Sequence, residues 1–269
     1  MSNVALGPAM SIKDPIYLGQ SSTANPVHVN MLGRNMLLGG EPGSGKSGVV
    51  NTITAQAALM SDVKIIGFDA KLVELMPWMD VMDVFVGPDM RKALSTMLWV
   101  QKRMDARYDW MAKNRIRKLE PTPSRPAWLV EVDELAYYTS VAGTRTEQEL
   151  FAALFRDVVA RGRAAGIIPI AGTQRASWDI IPTALRDLFA YRWTGRATTP
   201  GSSDVALGAG WAEAGYNAMH LSSKKPGDSL LLAEGGTPQR MRSAWMTDEE
   251  IATVAAFAAQ LRGNTNTSV

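Results

Sequence analysis

The chain has no cysteine and only two histidines, His28 and His220, in 269 residues. Without thiols there is no disulfide framework and no thiolate zinc or iron–sulfur centre, and two imidazoles cannot build a metal cluster by themselves. Any metal is therefore expected to arrive with a ligand. Long apolar runs are missing too: nothing approaches the roughly 20 residues that a membrane-spanning helix requires, and the N-terminus lacks the basic-then-apolar pattern of a signal segment. A cytoplasmic location with no intrinsic membrane segment is the resulting expectation. Net charge is small, at +2, and says little about partners. With 46% apolar and 20% charged residues the composition is that of an ordinary globule, and the length suits one substantial domain better than two. The two ends lack periodic pattern, so flexible segments are expected at 1–14 and 263–269 around a single domain at 15–262.

What the sequence does contain is Gly40-Glu41-Pro42-Gly43-Ser44-Gly45-Lys46-Ser47, which fits the phosphate-binding pattern G-x-x-x-x-G-K-[ST] at every required position. It follows the apolar run Met36–Leu38 and precedes a helix-compatible run with Val49, Val50 and Ile53, the strand-then-helix context the motif needs. Glycines let the backbone N–H groups turn inward on a phosphate, and the helix that follows adds its positive end. Lys46 can reach the β- and γ-phosphates of ATP, and the Ser47 hydroxyl is suited to Mg²⁺.

Along the chain, short apolar runs at Val63–Phe68, Val84–Gly87, Ala127–Val132 and Ile167–Ala171 read as buried strands. Between them, Ala93, Leu94, Met97, Met104, Tyr108 and Met111 recur at helical spacing from Pro88 to about Asn114, and the methionines of that stripe read as core. Thr146 with Glu149 forms a capping box for a further helix that ends at Gly166, and Thr247 with Glu250 caps the last one. Ser229–Ala233 and Met241–Trp245 around Gly235-Gly236 suggest a C-terminal hairpin. Alternating strands and helices argue for an α/β fold, a mainly parallel twisted sheet with helices on both faces. Ligands then gather at the carboxyl ends of the strands, a rim expected to carry Ser47, Asp69, Asp133, Glu134, Thr173 and Gln174.

Hydrolysis needs a carboxylate for the metal and a group that positions the attacking water. Asp133, at a strand end, suits the first role, with Ser47 as the other Mg²⁺ ligand, and Glu134 suits the second. Gln174, on the neighbouring strand, could sense the γ-phosphate. Basic residues fall in two groups. That between Arg91 and Lys118 reads mostly as a solvated helix face, whereas the later group, Arg156 to Arg196, is better placed for phosphate or nucleic acid.

With these motifs the chain resembles the FtsK/SpoIIIE family of RecA-like DNA-pumping P-loop NTPases over about residues 15 to 260. Asp69-Ala70-Lys71 with Glu74-Leu75 is similar to the family's D-P-K-x-x-E-L segment, with Ala70 in place of proline. Val132-Asp133-Glu134-Leu135-Ala136 is similar to its acidic box. Arg163-Ala164-Ala165-Gly166-Ile167 and Thr173-Gln174-Arg175 are close to its R-A-A-G-I and T-Q-R signatures. The resemblance implies an ATP- and Mg²⁺-dependent motor that forms a homo-hexameric ring around double-stranded DNA, as in conjugative and phage members, and it implies a membrane-anchored partner. It assigns Arg163 to the neighbouring subunit's γ-phosphate, Gln174 to the sensor and Arg175 to the DNA backbone, with Arg196 as the one candidate contact in a poorly basic second pore loop. Two features depart from the pattern: Glu131 interrupts an otherwise apolar strand, and Pro169 in a central strand predicts a bulge or altered pairing. Two other readings compete, a type VII secretion-like ATPase acting on polypeptide and a nucleotide-binding module that does not hydrolyse.

Overall fold

The computed structural model describes residues 10–263. Ten strands form one sheet: β1 (Ile16–Ser21), β2 (Pro26–Val29), β3 (Met36–Gly39), β4 (Val63–Phe68), β5 (Val84–Val86), β6 (Ala127–Val132), β7 (Ile167–Thr173), β8 (Tyr191–Thr194), β9 (Asp228–Ala233) and β10 (Gln239–Ser243). Their spatial order is β2-β1-β10-β9-β8-β3-β7-β6-β4-β5. Strands β8, β3, β7, β6, β4 and β5 pair in parallel, and the remaining four extend the sheet antiparallel from β8. The fold is thus the mainly parallel P-loop α/β class expected. The N-terminal hairpin β1–β2 and the strand β8 are additions that apolar runs did not signal.

Helices cover both faces. On one, α1 (Lys46–Ala58) buries Val49, Ile53 and Ala57 beside Ile251, Val254 and Ala258 of α6 (Asp248–Leu261). On the other, α2 (Met90–Lys113) brings Met97, Val100 and Met104 against Phe151, Phe155 and Val158 of α3 (Arg145–Arg161). The methionine stripe is core, as its spacing implied. Two short helices, α4 (Thr183–Arg186) and α5 (Pro200–Leu207), flank β8 in sequence.

Three expectations change. The capping box of α3 is Thr144 with Glu147, not Thr146 with Glu149: the Thr144 hydroxyl accepts from the Glu147 N–H at 3.3 Å, and Glu147 accepts from the Thr144 N–H at 2.7 Å. Both pairs have the T-x-x-E spacing, and the extended backbone at Thr144 selects the first. Pro169 causes no bulge, because β7 runs in unbroken register with β6, Val130 opposite Pro169. The Trp128 N–H donates to the Gly166 carbonyl, so by alternation the Pro169 nitrogen faces the other neighbour, β3. It does so one residue ahead of Met36, where that ladder begins, and no ladder bond is lost. Finally, residues 10–14 belong to the packed domain: Ile12 is buried, and Asp62 accepts from the Ile12 N–H at 3.0 Å and from the Ser11 hydroxyl at 2.6 Å. The rest of the two expected flexible segments, 1–9 and 264–269, lies outside the described residues.

Candidate functional site

The phosphate-binding loop leaves β3 at the centre of the parallel strands and enters α1 at Gly45, which caps the helix in a left-handed conformation (φ +100°) with no side-chain cap. The helix therefore presents its own first-turn N–H groups and its positive end, the arrangement that attracts an anion. The loop is seated from below: the Ser44 carbonyl accepts from the Gly227 N–H at 3.0 Å, and the Glu41 N–H donates to the Arg196 carbonyl at 2.9 Å. The Ser44 hydroxyl is buried and has no hydrogen-bond partner.

Lys46 is buried and its ammonium pairs with Asp133 Oδ1, donating also to the Asp133 carbonyl at 3.0 Å. Asp133 directly follows β6, and its second oxygen, Oδ2, is buried with no partner. A buried carboxylate oxygen without a donor is the kind of group that a cation completes, so the donor set of Ser47 and Asp133 fits a Mg²⁺ brought in with a nucleotide. Close approach of β7 makes this pocket tight: a Cβ on Gly172 would lie 2.3 Å from the Asp133 carbonyl oxygen and 3.2 Å from the Lys46 nitrogen.

Glu134 is held on the opposite side. The Thr173 hydroxyl donates to its Oε1 at 2.7 Å and the Gln174 N–H to its Oε2 at 2.9 Å. Thr173 also accepts from the Arg175 N–H at 3.1 Å, so one hydroxyl joins the acid to the segment 173–175. The Gln174 side chain accepts from Lys71 at 3.1 Å. Lys71 is positioned by Asp69, which is fully buried and accepts from the N–H groups of Lys71, Val73 and Leu75. Four of the expected residues, Lys46, Asp133, Glu134 and Gln174, are thereby brought together around the ends of β6 and β7.

Glu131 is also buried, under the third turn of α1. Its two oxygens lie 3.1 and 3.0 Å from the Thr54 hydroxyl, which is itself 2.8 Å from the Val50 carbonyl. Burial raises its pKa to about 8, with the Asp133 charge adding to the rise and the Thr54 hydrogen bond opposing it. Burial thus favours the protonated form of the residue that interrupts the apolar strand, and the Thr54 hydroxyl is within donating distance of both that carboxyl and the Val50 carbonyl.

The expected arginines stand elsewhere. Arg163 follows α3 at the amino-terminal end of β7, about 20 Å along that strand from Thr173, and meets Glu234 at 3.3 Å, both side chains half exposed. It does not reach its own chain's phosphate loop. Arg175 is exposed and meets Asp179 at 3.1 Å. Arg196, at the end of β8, has its guanidinium on Glu41 of the phosphate loop. Sequence reasoning gave no role to Thr173 or Lys71, although both lie within motifs it singled out, and it had no signal for the Glu41–Arg196 pair, whose members are far apart in the chain.

The chain is similar in sequence and in fold to proteins already known. Residues 2–127 match the FtsK/SpoIIIE family model. The DNA translocase FtsK of Haemophilus influenzae is 30% identical over 280 aligned positions, covering 90% of this chain and 50% of that protein. The DNA translocase SftA of Bacillus subtilis is 28% identical over 254, covering 87% and 25%. The chain thus spans half or less of these relatives' lengths. Among solved structures, the pCW3 conjugation coupling protein TcpA with ATPγS superposes with a TM-score of 0.77 at 18% identity, over 93% of this chain and 71% of TcpA. The cytoplasmic domain of the type VII secretion ATPase EccC from Thermomonospora curvata gives 0.72 at 18% identity, over 98% and 32%. Among the described residues no helix is long and apolar enough to cross a membrane.

Proposed function

Because the chain carries an FtsK/SpoIIIE family domain and aligns through most of its length with bacterial DNA translocases, we propose that it is an ATPase motor that moves double-stranded DNA. The observation that carries the proposal is the contact path from the phosphate loop to the exposed Arg175: Lys46 on Asp133 at one end, then Glu134 joined through Thr173 to the segment 173–175.

In this reading Lys46 leaves Asp133 for the β- and γ-phosphates when ATP enters. Ser47 and the Oδ2 of Asp133 are the protein oxygens that would hold Mg²⁺, which supplies neutralisation of phosphate charge when bound. Glu134, once released from Thr173 and the Gln174 N–H, accepts a proton from the water that attacks the γ-phosphorus. Gln174 and Lys71 sit where loss of the γ-phosphate would be felt next to Arg175, so the grip on a DNA phosphate would follow the nucleotide state. The position of Arg163, far from its own loop, supports a role toward a neighbouring subunit in a homo-hexameric ring, where its delocalised cation would stabilise transition-state charge. Arg196 can serve DNA only after leaving Glu41.

The test is the ATPase rate of the purified protein with and without duplex DNA. Stimulation by duplex supports the motor. Stimulation by a polypeptide instead would favour the secretion-ATPase reading, and ATP binding without turnover under both conditions would leave a nucleotide-binding module. For the ring, an Arg163→Ala protein mixed with a Lys46→Ala protein should recover activity that neither has alone, and mixed assemblies without recovery would remove the trans role.

A further inference from the structure

Far from the nucleotide site, a cleft of about 360 Å³ opens between α2, the start of β6 and the turn before it. Its walls are Trp99, Arg103, Arg107 and Trp110 from one face of α2, with Arg125 and Trp128 opposite. The spacing 99, 103, 107, 110 is that of a single helical stripe, taken from the basic region whose charge the sequence alone suggested was merely solvated.

Each indole already has a ring or a guanidinium against it. Trp99 and Trp128 stack at 4.7 Å and 11°; Arg107 lies 4.6 Å over Trp128, Arg125 lies 3.6 Å over Trp110, and Arg103 lies 5.8 Å from Trp99. A guanidinium lying on an indole keeps its edge, and the N–H fork on that edge, for a ligand. Arg107 spends its fork on the carbonyls of Ala165 and Pro126, at 2.7 and 2.6 Å, and is structural. Arg103 and Arg125 have no carboxylate within ion-pair distance among the described residues, and Lys64 at the cleft edge is the wall's one paired cation, on Asp83 at 3.2 Å. The cations are crowded without compensation: burial first, and the charge of Arg125 second, lower the Arg107 pKa to about 10.

We infer that this cleft is a docking site for an acidic peptide segment of a partner protein, with carboxylates on Arg103 and Arg125 and an apolar side chain against the edges of the indoles that line the cleft. Charge complementarity fixes the sign of the partner, and Trp and Arg are the residue types that dominate protein–protein hot spots. DNA fits the site poorly. The space admits a few side chains and not a duplex, and the stacking of Trp99 on Trp128 and of Arg125 on Trp110 already takes up indole face that an unstacked base would need. The cleft also lies at the amino-terminal ends of β4 and β6, about 17 Å along those strands from the rim that carries Gln174 and Arg175. The inference does not depend on the translocase reading, since a chain indifferent to DNA would have the same cleft.

The probe is a capped, fluorescein-labelled pentapeptide with phenylalanine between two pairs of glutamates, followed by fluorescence anisotropy on the full chain, with the lysine counterpart as control. The acidic peptide should bind and the basic one should not, and the double variant Arg103→Glu with Arg125→Glu should weaken binding at least tenfold while its melting temperature is unchanged and its ATPase rate stays within twofold of wild type's. The milder Arg103→Gln should show a smaller loss in the same direction, which covers the case in which the double reversal perturbs folding. Equal binding by wild type and variants would overturn the proposal. So would displacement of the peptide by a 20-base-pair duplex or a thymidine 20-mer, or a change of oligomeric state in the variants, which would make the cleft a nucleic-acid contact or a contact between copies.

Discussion

Asp133 and Glu131 stand two residues apart at the end of β6 and face the same helix, yet burial treats them differently. Asp133 lies beneath the first turn of α1, where Lys46 supplies a cation and one carboxylate oxygen is left over. Glu131 lies beneath the third turn, where the helix offers only the Thr54 hydroxyl. A buried acid beside a cation has a partner that compensates its charge, whereas burial beside a hydroxyl alone favours the protonated form. One helix thus gives a strand both an ion-paired carboxylate with one oxygen left unsatisfied and a carboxyl that meets only a hydroxyl, and the difference separates a group available for chemistry from one that fastens α1 to β6.

The strongest way to break the comparison is to remove the cation. Lys46→Ala should lower ATP hydrolysis by at least about 10²-fold, weaken nucleotide binding and leave Asp133 as an uncompensated buried charge. Glu134→Gln should retain nucleotide binding while slowing turnover by about 10²-fold, which separates the roles of loop and acid; parallel nucleotide titrations and steady-state rates distinguish them. Turnover at the wild-type rate in Glu134→Gln would place the water-positioning base elsewhere.

Next in size is Glu131. With its folded pKa raised to about 8 from 4.5, Glu131 keeps a proton that the unfolded chain loses, so its contribution to stability is fully present below about pH 4.5 and is lost as pH rises through about 8. Glu131→Gln should therefore be more stable than wild type by on the order of 1–3 kcal/mol at pH 8 and should flatten the fall in stability across that window. Urea melts of the nucleotide- and metal-free protein at pH 5, 6.5 and 8 measure this. A wild-type curve flat over that range would mean that Glu131 is ionised.

Smaller effects sharpen the path toward Arg175. Thr173→Val removes one hydrogen bond from Glu134, worth about 1 kcal/mol, and should raise the basal ATPase rate about fivefold while shrinking the ratio by which duplex DNA stimulates it. Arg175→Ala should leave the basal rate intact and reduce the salt slope of duplex binding by about 1 per contact, read from binding isotherms at several salt concentrations.

How much of this was legible beforehand follows from where the partners lie. The phosphate loop, β3, β4, β6 and β7 announce themselves through local motifs and apolar runs, because strands buried on both faces carry an unbroken apolar signal. Strand β8, Tyr191–Thr194, is short and carries Arg192, and β2, Pro26–Val29, alternates buried and exposed residues, so neither yields such a run. The T-x-x-E spacing occurs twice within six residues, and only backbone conformation decides between Thr144 and Thr146. At the site, Lys46, Asp133, Glu134 and Gln174 were found as types in a pattern. The pairings of Glu131 with Thr54, of Glu41 with Arg196 and of Gln174 with Lys71 join residues 77, 155 and 103 positions apart, and no local pattern encodes them.

The closeness of Gly172 to the Asp133 carbonyl gives the site a mechanical tolerance of less than one methyl group. With backbone, not a yielding side chain, 2.3 Å from a Cβ at that position, an alanine would act as a wedge between β6 and β7, prising the two strands apart where Asp133 and Thr173 must stay in step. Gly172→Ala would thus abolish ATP hydrolysis without altering any charged or hydrogen-bonding side chain, and so offers an inactive control whose net charge is that of the native chain.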